Sequence, residues 1–287
     1  MQVSQPFGYD ASMEETKTYQ ETLPKNVLSR YRLFETAAAS KMAASLCFDE
    51  WEDVVAVIDE FSLTSRLLLT KGGNQGPVPR VLNAAFKARG WQEARVDVET
   101  RTYLFPGSST SKSAEDDPSQ YEEYLHSRSY QLGYAIDNFK GRIALDVEWN
   151  PKDGNLDRDF AAYRAWHDRG VISLAVLITR VQDSTKMLAK RVWDEYTATR
   201  PSLAGCEQPV TYSTTTTANF EKAIQRVKRG DLGTCPILII GIDENTWDGV
   251  PWDGMGWKWN KDAQKLELAP VFISNAKEAI GHGVGRL

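Results

Sequence analysis

Cysteine is scarce in this sequence: 287 residues contain three, Cys47, Cys206 and Cys235, far apart and without C-x-x-C spacing. Such a set argues against a disulfide framework or a structural zinc site and for a reducing cytoplasm. His126, His167 and His282 are equally scattered and lack the spacing of zinc ligands. The longest apolar runs, at 171–179 and 236–240, fall well short of the ~20 residues that a membrane helix needs. The opening residues, MQVSQPFGYDASMEETKTYQ, are polar and acidic, with neither the basic nor the apolar region of a secretory signal. There is no glycine-rich phosphate loop, no G-x-S-x-G elbow and no internal repeat. Positive charge is also short. With 34 Lys plus Arg against 39 Asp plus Glu the net charge is −5, which taken whole argues against a polyanionic partner.

What is present describes a globular chain. Hydrophobic residues at 41% and charged residues at 25% are enough to bury a sizeable core. The negative charge is concentrated: residues 108–123 and 241–256 each carry −4, leaving the rest at +3. The −5 therefore excludes only a uniformly basic protein.

Residues 1–23 read as a polar arm. Val27, Tyr31, Phe34, Ala38 and Met42 recur at three- and four-residue intervals, which predicts an amphipathic helix over 24–45. A second helix is expected to open at Asp49 as N-cap, with Glu52 at the capping-box offset. Residues 71–80 form a loop, and a helix over 81–89 is closed by Gly90. β-Branched alternation over 95–104 predicts a strand, and residues 106–120 form a long polar loop. Strands follow at 130–139 and 143–149, then a helix over 155–168 with Leu156, Phe160, Tyr163 and Trp166 on its buried stripe. The apolar runs 171–179 and 236–242 read as strands covered on both faces. Between them lie helices over 182–196 and 219–229, the latter behind threonines able to cap it. This order predicts an α/β domain, a mixed sheet flanked by helices on both faces.

Residues 143–149 carry the chemistry. The period is two, so Ile143, Leu145, Val147 and Trp149 share one face while Ala144, Asp146, Glu148 and Asn150 share the other. If Gly141-Arg142 is a two-residue turn, Gly141 supplying the positive φ that a type II′ turn needs, Lys140 pairs with Ile143, Phe139 with Ala144 and Asn138 with Leu145. Asp137 then faces Asp146, their Cβ atoms ~5 Å apart. Asn138 and Lys140 fall on the apolar face and are the weak point of this register. Clustered carboxylates raise one another's pKa and destabilise a sheet unless a hard cation such as Mg²⁺ offsets them. The alternative is a solvated rim in which these acids pair with Lys140, Arg142, Lys152 and Arg158. Spacing alone leaves both open.

Asp137-x8-Asp146-x-Glu148 resembles the PD-(D/E)XK nuclease motif, and EWNPKDGNLDRDFAAYRAWHDRGVISLAVLITR (148–180) is similar to the BglII-like type II restriction endonucleases. So is STTTTANFEKAIQRVKRGDLGTCPILIIGI (213–242), and the likeness spans roughly residues 70–245. It implies a PD-(D/E)XK mixed sheet and Mg²⁺-dependent cleavage of double-stranded DNA at a short palindrome. It also implies a homodimer, with Asp137, Asp146 and the carbonyl of Val147 binding the metal. Glu148 occupies a position that is lysine in most of that superfamily, so the general base stays open; Glu122 or Glu123 could supply an additional upstream acid. On this reading residues 71–245 form the nuclease core. Residues 1–70 supply an arm and helices for the dimer or a DNA clasp, and 246–287 a Trp/Gly-rich C-terminal segment.

DNA needs phosphate and base contacts. Asn150, Lys152 and Arg158 follow the acids directly, and Lys222 and Arg226 stand on a basic helix with Lys228 and Arg229. Cations in a last turn also complement the helix dipole, so that cluster has a structural reading too. Residues 247–259 hold four of the nine tryptophans, which either stack on a base or pin a loop to the body. Two rivals remain: a catalytically silent DNA-binding protein on the same fold, and a carboxylate-pair glycoside hydrolase, for which acids this close on one strand are poorly spaced.

Overall fold

The computed structural model describes residues 14–72, 76–105, 122–214 and 216–273. Most of the expected N-terminal arm and the whole loop 106–120 lie outside the described residues. Strand β1 (Glu15–Thr16) and the short helices α1 (Tyr19–Thr22) and α2 (Lys25–Arg30) lead into strand β2 (Tyr31–Thr36). Helices α3 (Ala39–Leu46), α4 (Phe48–Glu60), α5 (Ser65–Leu68) and α6 (Pro77–Ala88) follow. Next come β3 (Gln92–Arg95), β4 (Val98–Tyr103), β5 (Leu125–Gln131), β6 (Ala135–Lys140), β7 (Ile143–Glu148), α7 (Gly154–Asp168) and β8 (Leu174–Arg180). The described chain closes with α8 (Gln182–Ala198), α9 (Phe220–Lys228), β9 (Ile237–Ile242), β10 (Met255–Asn260) and β11 (Lys265–Pro270).

Seven strands form one mixed sheet in the order β1-β2-β9-β8-β7-β6-β3. Its centre, β7-β8-β9, is parallel, and every residue of these three strands is buried, as expected of strands covered on both faces. One face packs α4, α6 and α8 through Trp51, Val54, Leu82, Phe86, Leu188 and Val192. The other packs α7 and α9 through Leu156, Phe160, Tyr163, Ala223 and Val227. Strands β4 and β5 pair as a separate ribbon, as do β10 and β11. No helix among the described residues is long and apolar enough to cross a membrane.

Several local expectations change. The single helix over 24–45 is instead α2, β2 and α3. The apolar spacing mimics one helix because Val27 is buried from α2 while Tyr31 and Phe34 face opposite sides of β2. Backbone pairing of β2 with β9, from Tyr31↔Ile242 to Glu35↔Leu238, outweighs the local periodicity. Left-handed Ala37 (φ 50°) and Ala38 (φ 53°) then turn the chain into α3. Residues 31–36 thus belong to the central sheet rather than to a helical appendage. Helix α4 starts at Phe48 without a side-chain cap, so Asp49 lies in its first turn instead of capping it. The strand expected over 95–104 divides: β3 joins the main sheet and β4 leaves it for β5. Asn219, not a threonine, caps α9 by accepting from the Lys222 N–H at 2.9 Å.

The hairpin that positions the acids follows the expected register for three pairs, Asn138↔Leu145, Phe139↔Ala144 and Lys140↔Ile143, and Gly141 takes a φ of +51° at the turn. Its two awkward residues are both satisfied. Asn138 is buried and donates to Asn83 Oδ1 (2.9 Å) and to the Leu145 carbonyl (3.3 Å), and Lys140 pairs with Asp53 at 2.7 Å.

Candidate active site

The ladder of β6 and β7 stops one rung short of the acids. Asp137 does not face Asp146 in a backbone pair; its N–H donates to the Asp146 carboxylate, Oδ1, at 2.8 Å. On its other edge β6 pairs with β3, through Gln92↔Phe139, Ala94↔Ile136 and Arg95↔Ala135. The Asp137 side chain is exposed at the cleft, where Asn83 Nδ2 donates to it at 3.3 Å. Asp146 and Glu148 are buried, on the same side of β7 as Ala144 and facing α7.

Helix α7 supplies two residues that the sequence reading did not assign. The Tyr163 hydroxyl donates to Asp146 Oδ2 at 2.7 Å, so both oxygens of that carboxyl are engaged. Asp159 is 3% exposed and hydrogen-bonds Glu148. The signal was available: Leu156, Asp159, Phe160 and Tyr163 fall at i, i+3, i+4 and i+7, so an acid occupies the buried stripe.

Burial pushes Asp146 up to about 8, helped by the negative charges of Asp159 and Asp137 and opposed by the Asp137 N–H and the Tyr163 hydroxyl. Burial also pushes Glu148 up to about 9, with Asp159 the next cause. Asp159 is raised as well, again chiefly by burial, although its bonds to Glu148 and Arg158 pull the other way. The solvated rim is not what forms. Lys140 goes to Asp53, Arg142 donates to the Ser173 hydroxyl at 2.8 Å, and Arg158 meets Asp159 at 3.2 Å. Among the described residues no salt bridge reaches Asp146 or Glu148.

These acids fit a hard divalent cation. The donors are all oxygen, no salt bridge among the described residues reaches Asp146 or Glu148, and Asp159 Oδ2 is buried with no hydrogen-bond partner among them. Asp137, Asp146, Glu148 and Val147 line one cleft. Among the described residues no three His, Cys, Asp or Glu side chains already converge as a metal cluster. Hydrogen bonds hold Asp146 against α7, while Asp137 turns outward.

The cleft measures about 1380 Å³ and opens at the C-terminal end of β7. Asn150, Lys152 and Arg158 line it, and so do Lys71, Arg80, Lys258 and Lys261. The loop after β7 is strapped in place by the end of the threonine run. Lys152 bridges Thr217, the Asp153 N–H donates to the Thr216 carbonyl (2.8 Å), and the Ala218 N–H donates to the Pro151 carbonyl (2.9 Å). Arg180, fully buried at the end of β8, donates to the Trp149 carbonyl (2.9 Å), the Thr217 hydroxyl (2.8 Å) and Asn150 Oδ1 (3.4 Å). Burial lowers its pKa, and no carboxylate salt bridge to it is present among the described residues. It holds both sides of the strap, a role that its place at the end of an apolar run did not reveal.

Lys222 and Arg226 lie elsewhere. Lys222 pairs with Asp153 at 2.9 Å and Arg226 with Asp157 at 2.7 Å, clamping α9 to the start of α7, and neither lines the cleft. Glu122 pairs with Arg128, Glu123 is exposed, and both are outside the cleft.

A search of curated proteins gives no match. The model of a family described as "Restriction endonuclease BglII/BglIII" matches residues 31–242, from the first residue of β2 to the last of β9. The chain therefore belongs to the BglII/BglIII restriction endonuclease family and is a type II site-specific deoxyribonuclease.

Proposed function

We propose that the cleft binds double-stranded DNA at a short palindrome and that its acids direct Mg²⁺-dependent hydrolysis of one phosphodiester per subunit of a homodimer. The observation that carries this is a pair of buried carboxylates that no salt bridge reaches among the described residues, lining a cleft that basic residues also line. Asp137, Asp146 and the Val147 carbonyl would hold the metal. When bound, Mg²⁺ supplies positive charge against the phosphate and makes a water more acidic. Lys152 and Arg158 take phosphate oxygens and fix the register of the strand. Asn150, oriented by Arg180, presents its amide to phosphate or water. Glu148, beside Asp159 and the Arg158 that pairs with it, is the carboxyl placed to take or give a proton at the reacting water. Two subunits about a two-fold axis match a two-fold DNA site, each cutting one strand. Three free cysteines, Cys47, Cys206 and Cys235, suit a reducing cytoplasm.

The test is cleavage of methylated and unmethylated plasmid DNA in Mg²⁺, with sequencing of the cut ends. Asp146→Asn is expected to lower cleavage by about a thousandfold or more while still binding duplex in Ca²⁺. Full cleavage by this variant would remove the site from consideration. Binding by the wild type without any cutting would instead favour a silent DNA-binding protein.

A further inference from the structure

The family match ends at Ile242, yet the cleft does not. Part of its lining comes from β10–β11, a six-pair antiparallel hairpin outside the seven-stranded sheet. The hairpin is firmly seated on the body. The Trp257 N–H donates to the Thr70 hydroxyl at 2.9 Å, and Arg66 pairs with Asp253 at 2.6 Å. Trp252 is buried with its ring 4.6 Å from that of Tyr196. The Arg80 guanidinium lies 3.8 Å from the centre of the Trp259 ring, joining α6 to the hairpin at the cleft.

The four tryptophans of 247–259 therefore divide. Trp247, whose indole N–H donates to the Ser65 hydroxyl at 3.0 Å, and Trp252 pin the segment down. Trp257 and Trp259 line the cleft. Between and beyond them stand Lys258 and Lys261, both exposed, both cleft-lining and neither in a salt bridge among the described residues. Glu267, opposite Lys258 in the ladder, is already paired with Lys265 at 3.4 Å.

We propose that the β10–β11 hairpin is a second DNA-binding wall, in which Lys258 and Lys261 take phosphates of the duplex in the cleft that Asp146 also lines and the Arg80–Trp259 stack fixes the hairpin's angle. The proposal rests on the reading of the cleft as the DNA site. Its basis is charge complementarity: exposed lysines that form no salt bridge among the described residues, held on a seated hairpin at the cleft, meet the even negative charge of a nucleic-acid backbone. Loss of this wall leaves the acids in place and weakens the grip on the substrate.

The experiment measures the binding of labelled duplex to the full chain in Ca²⁺ across a salt series, for wild type and for Lys258→Gln/Lys261→Gln. The expected result is a fall of about 1.8 in the slope of log Kd against log salt, Kd roughly tenfold or more weaker at low salt, and an unchanged melting temperature. Both lysines are exposed, so the variant keeps the fold. An unchanged slope, with the wild type binding normally, would overturn the hairpin proposal and leave the DNA site standing. Failure of the wild type to bind any duplex would overturn both. Trp259→Ala is a second probe: weaker binding that Trp259→Phe restores supports an aromatic support for the wall, and equal binding by all three proteins counts against it.

Discussion

Two groups of cations stand near the acids and differ in what they touch. On α9, Lys222 and Arg226 reach Asp153, just before α7, and Asp157 in its first turn, and the Arg226 side chain is only 11% exposed. Around the cleft, Lys71, Lys152, Lys258 and Lys261 are exposed and form no salt bridge among the described residues. In the sequence the α9 group is the conspicuous one, four cations within eight residues, whereas the cleft group comes from three distant segments. A dense run of charge on one helix readily finds acids on the helix packed beside it. Charges brought together only by the fold are left for a partner. Density of charge along the chain is therefore a poor guide to which cations the fold leaves without a salt bridge.

The comparison can be sharpened first on the acid side. The carboxyls of Asp146 and Glu148 are raised in the folded protein to about 8 and about 9. In that range the folded state holds protons that the unfolded chain has already released, so stability falls as pH rises from the unfolded carboxylate range through these values. The melting temperature without divalent cation should drop by roughly 5 °C or more between pH 6 and pH 9, and Ca²⁺ should narrow the drop. A flat profile would mean that the acids are not short of counter-charge.

Next in size is the charge reversal Lys152→Glu. It should weaken duplex binding in Ca²⁺ by about a hundredfold (about 2.8 kcal/mol) and reduce the salt slope by about 0.9 or more, with little change in melting temperature. The smallest effect belongs to the other group. Arg226→Ala leaves Asp157 only the longer contact to Arg229 (3.5 Å) and removes a partly buried clamp, costing about 1 kcal/mol of stability, seen as a lower urea midpoint. Its salt slope for DNA should stay near that of the wild type. If Arg226→Ala changed the slope and Lys152→Glu did not, the comparison would be reversed.

Much of the site's framework was legible because it is local. A glycine turn and period-two alternation set the register of β6 and β7, and the stripe of α7 followed from helical spacing. The parallel core strands were readable because a doubly covered strand has apolar residues on both faces. What escaped depends on distant pairing. β2 looks helical until β9 lies beside it, and the hairpin's place over the cleft depends on contacts such as Trp257 with Thr70, 187 positions apart. Asp159 escaped for a different reason: an acid on a buried stripe looks like a flaw in the pattern until Glu148 is known to face it. Arg180 escaped because a cation ending an apolar strand resembles a boundary marker.

The hydrogen bond from the Asp137 amide to Asp146 Oδ1 makes one carboxyl oxygen the final rung of the β6–β7 ladder. This side chain thus performs a task usually left to main chain, and the two strands are spliced through it. The choice of replacement decides which property is lost. Asparagine keeps an oxygen for the Asp137 amide but turns a donor toward the Tyr163 hydroxyl, which must then rotate to accept. Alanine removes the splice altogether, so that the ends of both strands, and Asp137 with them, are released along with the charge.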